Sequence, residues 1–158
     1  MATGLQKSYE LALQERVLSY WSNLIPEGAD LPREDNIDQS DLQDIWESCF
    51  LIQTLDIQRG HVHNYTILGS DANHPFGAEE SDYESPLLGA SNTERLLRQY
   101  QTVTTSCKPL VCESTFASCR EEVVDYREML LPFSLDGHTV SSILGVIRYH
   151  LRPIEELS

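Results

Sequence analysis

The sequence predicts an α+β fold: a five-stranded antiparallel sheet with helices on one face and an N-terminal helical extension. Three observations lead there. Apolar runs at residues 126–133 and 139–149 flank Ser134-Leu135-Asp136-Gly137-His138, and Asp-Gly between such runs marks a hairpin because Gly accepts the positive φ that its turn demands. Two shorter strand patterns lie far upstream, joined by a tight Arg59-Gly60 turn, and strands joined so closely are antiparallel. The resulting order is helix, helix, β, β, short helices, longer helix, β, β, β. One mixed sheet with helices between its second and third strands satisfies that order economically.

Each element has its own signal. Residues 5–25 read as one helix, stopped by Pro26 and the Glu27-Gly28 turn. Its apolar positions, Leu5, Tyr9, Leu11, Leu13, Val17, Leu18, Trp21, Leu24 and Ile25, spread over more of the circumference than a helix lying on a single core requires. The excess predicts a second packing surface for this helix, the same helix of another subunit, with Leu11, Leu18, Trp21 and Ile25 as the candidate dimer interface. Residues 29–39 are polar and irregular around Pro32. Asp38 or Ser40 then caps a short helix through Ser48, with Leu42, Ile45 and Trp46 inward. Residues 49–57 form the first strand and 61–68 the second.

Residues 69–90 lack periodicity and carry Pro75, Gly77, Pro86 and Gly89, so short helical turns are expected there. Ser91 and Glu94 make a capping box for a helix through Cys107, with Leu96, Tyr100, Val103 and Cys107 at helical spacing. Residues 110–117 are the third strand and 118–121 a turn. The hairpin completes the sheet, and a frayed tail is expected over 152–158. The predicted organisation is an N-terminal amphipathic helix at 1–28, one domain at 29–151 and the tail.

Composition limits the function classes. A chain of 158 residues with 41% hydrophobic content fits a single globular core with a radius of gyration of roughly 15 Å. No apolar run approaches the ~20 residues that span a bilayer, and the N-terminus leads into a polar stretch rather than a secretory h-region. A cytoplasmic protein without membrane insertion is the expectation. The formal net charge of −14, with 11 basic residues thinly spread, argues against nucleic acid. Acid is densest in Asp30, Glu34, Asp35, Asp38, Asp41, Asp44 and Glu47, opposed by Arg33. That segment reads as a solvated face or as a docking surface for a basic partner.

Cys49, Cys107, Cys112 and Cys119 are separated by 57, 4 and 6 residues, a spacing that supports neither a zinc ribbon nor a thioredoxin-type site. Buried structural thiols are the plain reading; a redox pair among the last three is the sharper one. No phosphate-cradling loop, nucleophile elbow or His-Glu-x-x-His motif occurs. His61 and His63, two apart on an expected strand, share a face and so could hold a metal or haem, though an exposed polar face is the commoner use of such a pair. His74, His138 and His150 carry little signal.

In its element order the chain resembles a PAS domain, and more narrowly the PAS-like family of small alphaproteobacterial proteins in which this domain stands nearly alone. The residues carrying the resemblance are Tyr20-Trp21, Leu31-Pro32-Arg33 through Ile37-Asp38, Asp41-Leu42, Phe50-Leu51-Ile52, residues 65–68 with Gly69-Ser70, residues 132–137, and Ile143-Leu144-Gly145. It spans about residues 15–150 through order and spacing rather than one specific motif. Asn36, Gln39 and Thr66 depart from the family's usual Asp, Pro and Arg. If that Arg holds an anion in relatives, this chain binds a different ligand or none. Flavin photosensors of this fold carry an Asn-Cys-Arg-Phe helix, whereas residues 69–90 contain no Cys.

The resemblance implies a regulatory module that senses a small molecule, dimerises or docks a signalling protein. Pockets favour concave apolar sites, here between the sheet and the middle helices. The candidate ligand-binding residues are Phe50, Ile52, His63, Tyr65, Ile67, Tyr100, Tyr126, Ile143 and Tyr149, with Leu96 and Ile147 as further walls and Arg148 as an orienting group. Gly145 would widen this cavity or permit close packing. The identity of any cofactor is unknown. No attached effector is recognisable, so output is expected to pass through an unidentified signalling protein. Competing readings are a structural docking dimer with a filled core and a small enzyme using Glu113 or Glu128 as acid or base, whose sign would be a raised carboxylate pKa in a dry pocket.

Overall fold

The computed structural model describes residues 4–61, 65–68, 89–117 and 122–153. Helix α1 (Gly4–Asn23) is followed by three 3-10 turns, Glu34–Asn36, Gln39–Leu42 and Trp46–Ser48. Then come β1 (Cys49–Gln53), α2 (Thr54–Gln58), β2 (Tyr65–Leu68), α3 (Gly89–Ser106), β3 (Leu110–Ala117), β4 (Glu122–Ser134) and β5 (Val140–Pro153). The five strands form one sheet in the order β2-β1-β5-β4-β3, antiparallel at every pairing. The last strand therefore lies at the centre, between the first and the fourth, and each of its faces must be covered.

Strand alternation sorts the side chains. One row holds Phe50, Ile52, Leu130, Ile143, Gly145 and Ile147; the other holds Cys49, Leu51, Met129, Leu131, Leu144 and Val146. All of these apolar side chains are at most 8% exposed. The second row faces α1, because Arg127 and Arg148 of that row bond Gln14 and Glu10. The first row faces α2 and α3, whose buried Ile57, Leu96, Tyr100 and Val103 belong to the same core. The sheet is thus sandwiched, with α2 and α3 over the inner face and α1 over the outer one.

Several expectations shift at their edges. The first strand ends at Gln53 rather than at 57. Residues 54–58 turn into α2, anchored where Thr54 Oγ1 donates to the Ser141 carbonyl at 3.1 Å and Ile57 is buried. His61 precedes β2 and is exposed, so it does not sit on a strand. The helix expected at 40–48 is two 3-10 turns, with Asp38 capping the first by accepting from Ser40 N at 2.9 Å. Helix α3 begins at Gly89, two residues before Ser91, which is therefore not its cap. Strand β5 runs through Pro153, pairing Arg152 with Val123, so the tail begins later than expected. Residues 69–88, 118–121 and 154–158, with the elements expected there, lie outside the described residues, as do His63 and Cys119.

The hairpin turn is built as its residues demand. Gly137 adopts φ +89°, a region L-residues avoid. Asp136 Oδ1 accepts from His138 N and Thr139 N, each at 2.8 Å, and from Ser134 Oγ at 2.9 Å. Ser134 Oγ accepts in turn from Gly137 N at 2.8 Å. The Gly137 carbonyl takes Asp30 N and Leu31 N, both at 3.0 Å, which fastens the turn to the segment leaving α1. The N–H groups of His138 and Thr139 and the Ser134 hydroxyl hold the Asp136 carboxyl down at about 2, against an ordinary 3.8. A folded pKa below the unfolded one gives a stabilising contribution that is present above about pH 4 and lost as pH falls through about 2. Thermal melts across that interval should show a declining midpoint in the native protein, and Asp136→Ala should remove part of that slope.

Candidate functional site

Two surfaces merit attention, one on each side of the sheet. On the inner face the register sets Phe50 opposite Gly145 and Ile52 opposite Ile143 and Tyr65, while the backbones of Tyr126 and Tyr149 pair farther along β4 and β5. Tyr100 of α3 is fully buried over the same core. Ile67 stands opposite Leu51, one row away, because a bulge separates it from the Tyr65 pairing. The fold thus brings Phe50, Ile52, Tyr65 and Ile143, of the sequence-predicted pocket residues, into one row.

Phe50 occupies the centre of that row. Its ring packs against Tyr65 with centroids 5.0 Å apart and planes tilted by 60°, and it covers Gly145 so closely that a Cβ there would fall within the ring. Of the two roles open to Gly145, close packing is the one seen. Glu128, opposite Cys112 and Ile147, is 1% exposed on this face. It is a buried carboxylate. Glu113 is exposed and pairs with Arg127. Arg148 is on the outer face, bonded to α1, and does not orient anything among the pocket residues.

The outer face carries an opening beside α1. Helix α1 crosses it, burying Leu13, Val17 and Trp21, and Trp21 Nε1 donates to the Pro132 carbonyl at 2.6 Å. Along one flank the following segment closes in: Arg16 pairs with Asp44 at 2.8 Å, and Tyr20 Oη accepts from Asp38 N at 3.3 Å. Part of the wide apolar arc of α1 is therefore used within the chain. Along the other flank lies an open groove of about 730 Å³, walled by Leu18, Trp21 and Ser22 on α1 and by Cys107, Pro109 and Val111 across from them. Of the candidate interface residues, Leu18 is half-buried at this groove and Trp21 is buried in its wall. Leu11 is 43% exposed and Ile25 is half-buried just past the helix end. No signal in the sequence marked Pro109 or Val111, or placed Cys107 beside α1, because their meeting with α1 depends on how the sheet is ordered.

Cysteine chemistry is muted where it is described. Burial, with the Asp44 charge adding to it, pushes the Cys49 thiol up to about 12, and its Sγ donates to the Ile45 carbonyl at 3.4 Å. Such a thiol is a small core hydrophobe. Cys107 caps α3 with φ +59°, its N–H bonded to the Val103 carbonyl at 2.9 Å. Among the described residues, no three His, Cys, Asp or Glu side chains cluster as metal ligands, and no helix is long and apolar enough to cross a membrane.

The family model described as PAS domain matches residues 10–148 of the chain, from α1 through most of β5. Neither the curated proteins nor the solved structures gave a match.

Proposed function

The chain belongs to the PAS domain family, and on that premise we propose that it is a non-catalytic regulatory module that signals by protein contact, two copies pairing through α1. PAS domains in general serve sensing and regulation. The observation that carries the pairing is the outer-face groove beside α1. A second copy suits it because α1 supplies both halves of a self-complementary contact. Leu18 and Trp21 wall the groove, while Tyr9 and Leu11 project from the same helix, 54% and 43% exposed. Leu11 and Leu18 are two turns apart and share a side of the helix, so an antiparallel partner helix can lay Leu11 into the opposing groove about a twofold axis. A signalling protein would read the paired state.

Native mass spectrometry of the purified chain tests this. The dimer mass is expected for the native protein and the monomer mass for Leu11→Asp, an exposed change that leaves the fold intact, as an unaltered melting midpoint would verify. A monomeric native protein would overturn the pairing. The second reading is a small-molecule sensor, favoured by the single row that holds Phe50, Ile52, Tyr65 and Ile143. A stoichiometric small molecule released on denaturing the same sample would support it.

A further inference from the structure

Helix α1 is attached to the sheet by two kinds of force, divided along its length. Among the described side chains, its first buried apolar residue is Leu13, followed by Val17 and Trp21. Among the described side chains before Leu13, and at Gln14, the contacts to the sheet are polar. Glu10 meets Arg148 with both carboxylate oxygens, at 3.3 and 3.2 Å from Nε and 3.1 Å from Nη2. The Arg148 guanidinium also lies 5.9 Å from the Tyr9 ring centroid. Gln14 Oε1 accepts from Arg127 Nη1 at 2.9 Å, and Arg127 pairs through Nη2 with Glu113 of β3.

Arg127 and Arg148 stand directly opposite each other in the β4–β5 register. Like charges in that relation repel, so the pair needs anionic company. Glu113 contributes to it from the sheet and Glu10 from the helix. Both arginines are partly buried, with side chains 14% and 29% exposed, as is Glu10 at 21%. Two neighbouring guanidinium groups present planar forks suited to a carboxylate, phosphate or sulfate.

We propose that the N-terminal half of α1 is an electrostatically latched strap, whose release uncovers the Arg127–Arg148 pair as an oxyanion site that Glu10 fills in cis. The half bearing Leu13, Val17 and Trp21 stays docked through its apolar burial and the Trp21 bond to Pro132. A free segment of about ten residues is too short to hold helix alone, so release shows as amide exchange confined to that segment. Leu11 lies on this strap, so exchange is read at dilution, where pairing through the groove does not hold it.

Hydrogen exchange of the full chain, read separately over residues 4–12 and 13–23, tests this. Glu10→Gln should raise exchange about tenfold in the first segment and change the second less than about twofold. Sodium chloride at about 0.5 M should shift the native protein in the same direction, and inorganic phosphate at matched ionic strength should shift it further by seating on the arginines. Unchanged exchange in Glu10→Gln, or equal rises along all of α1, would overturn the strap. Equal effects of phosphate and chloride would overturn the oxyanion site. Unaltered Trp21 fluorescence in Glu10→Gln would verify that the apolar half remains docked.

Discussion

Gly145→Val should be the most damaging single substitution in the sheet, lowering the melting midpoint by about 10 °C or more. Residue 145 lies in the central strand, flanked by Phe50 on β1 and Leu130 on β4. A Cβ there would occupy the space of the Phe50 ring, and Phe50 is itself 1% exposed and packed on Tyr65. The ring has no solvent to swing into. Overpacking of this kind costs about 1–3 kcal/mol and sometimes more, and the central position favours the upper end. Leucine at position 50 should recover part of the loss in the double variant, because a smaller side chain clears the site. A double-mutant cycle would read the coupling directly. Additive losses would mean that the Phe50–Gly145 contact is not the cause.

Trp21→Ala should cost about 3–5 kcal/mol, and Trp21→Phe roughly 1–3 kcal/mol, chiefly by stranding the Pro132 carbonyl. Trp21 combines an 8% exposed indole with a 2.6 Å bond from Nε1 to that carbonyl. It fixes the apolar half of α1 to β4 and also walls the groove. Denaturant unfolding of both variants measures the two contributions. Equal stabilities of Trp21→Phe and the native protein would remove the hydrogen bond from the account. Both substitutions should also weaken pairing, since the groove loses its wall.

The sheet was legible because its signals are local. Asp136-Gly137 fixed the hairpin, since a turn needing positive φ and side-chain acceptors has few sequence solutions. Residues 54–58 misled for the same reason: Leu55 and Ile57 alternate as a strand would, yet the chain turns into α2 once Thr54 bonds Ser141 across the sheet. Facing was harder. Ile147 and Arg148 are neighbours in one strand, and register alone decides that the first joins the inner core while the second reaches Glu10 on α1. The inner row of Phe50, Ile52, Tyr65 and Ile143 could be named, but not that Phe50 would cover Gly145. The groove was beyond reach, because residues 107–111 meet α1 through the sheet order rather than through any pattern of their own.

The central claim is that two copies pair through α1, and sedimentation of the native chain over a range of concentrations and salt tests it most directly. Each copy carries a net charge of −14, so apolar pairing works against long-range repulsion that salt screens. Pairing through α1 predicts a monomer–dimer equilibrium that tightens with salt over the range in which the Glu10–Arg148 latch stays closed, and that Leu11→Asp abolishes. A chain that sediments as a monomer at every concentration and salt, or a dimer indifferent to Leu11→Asp, would contradict it.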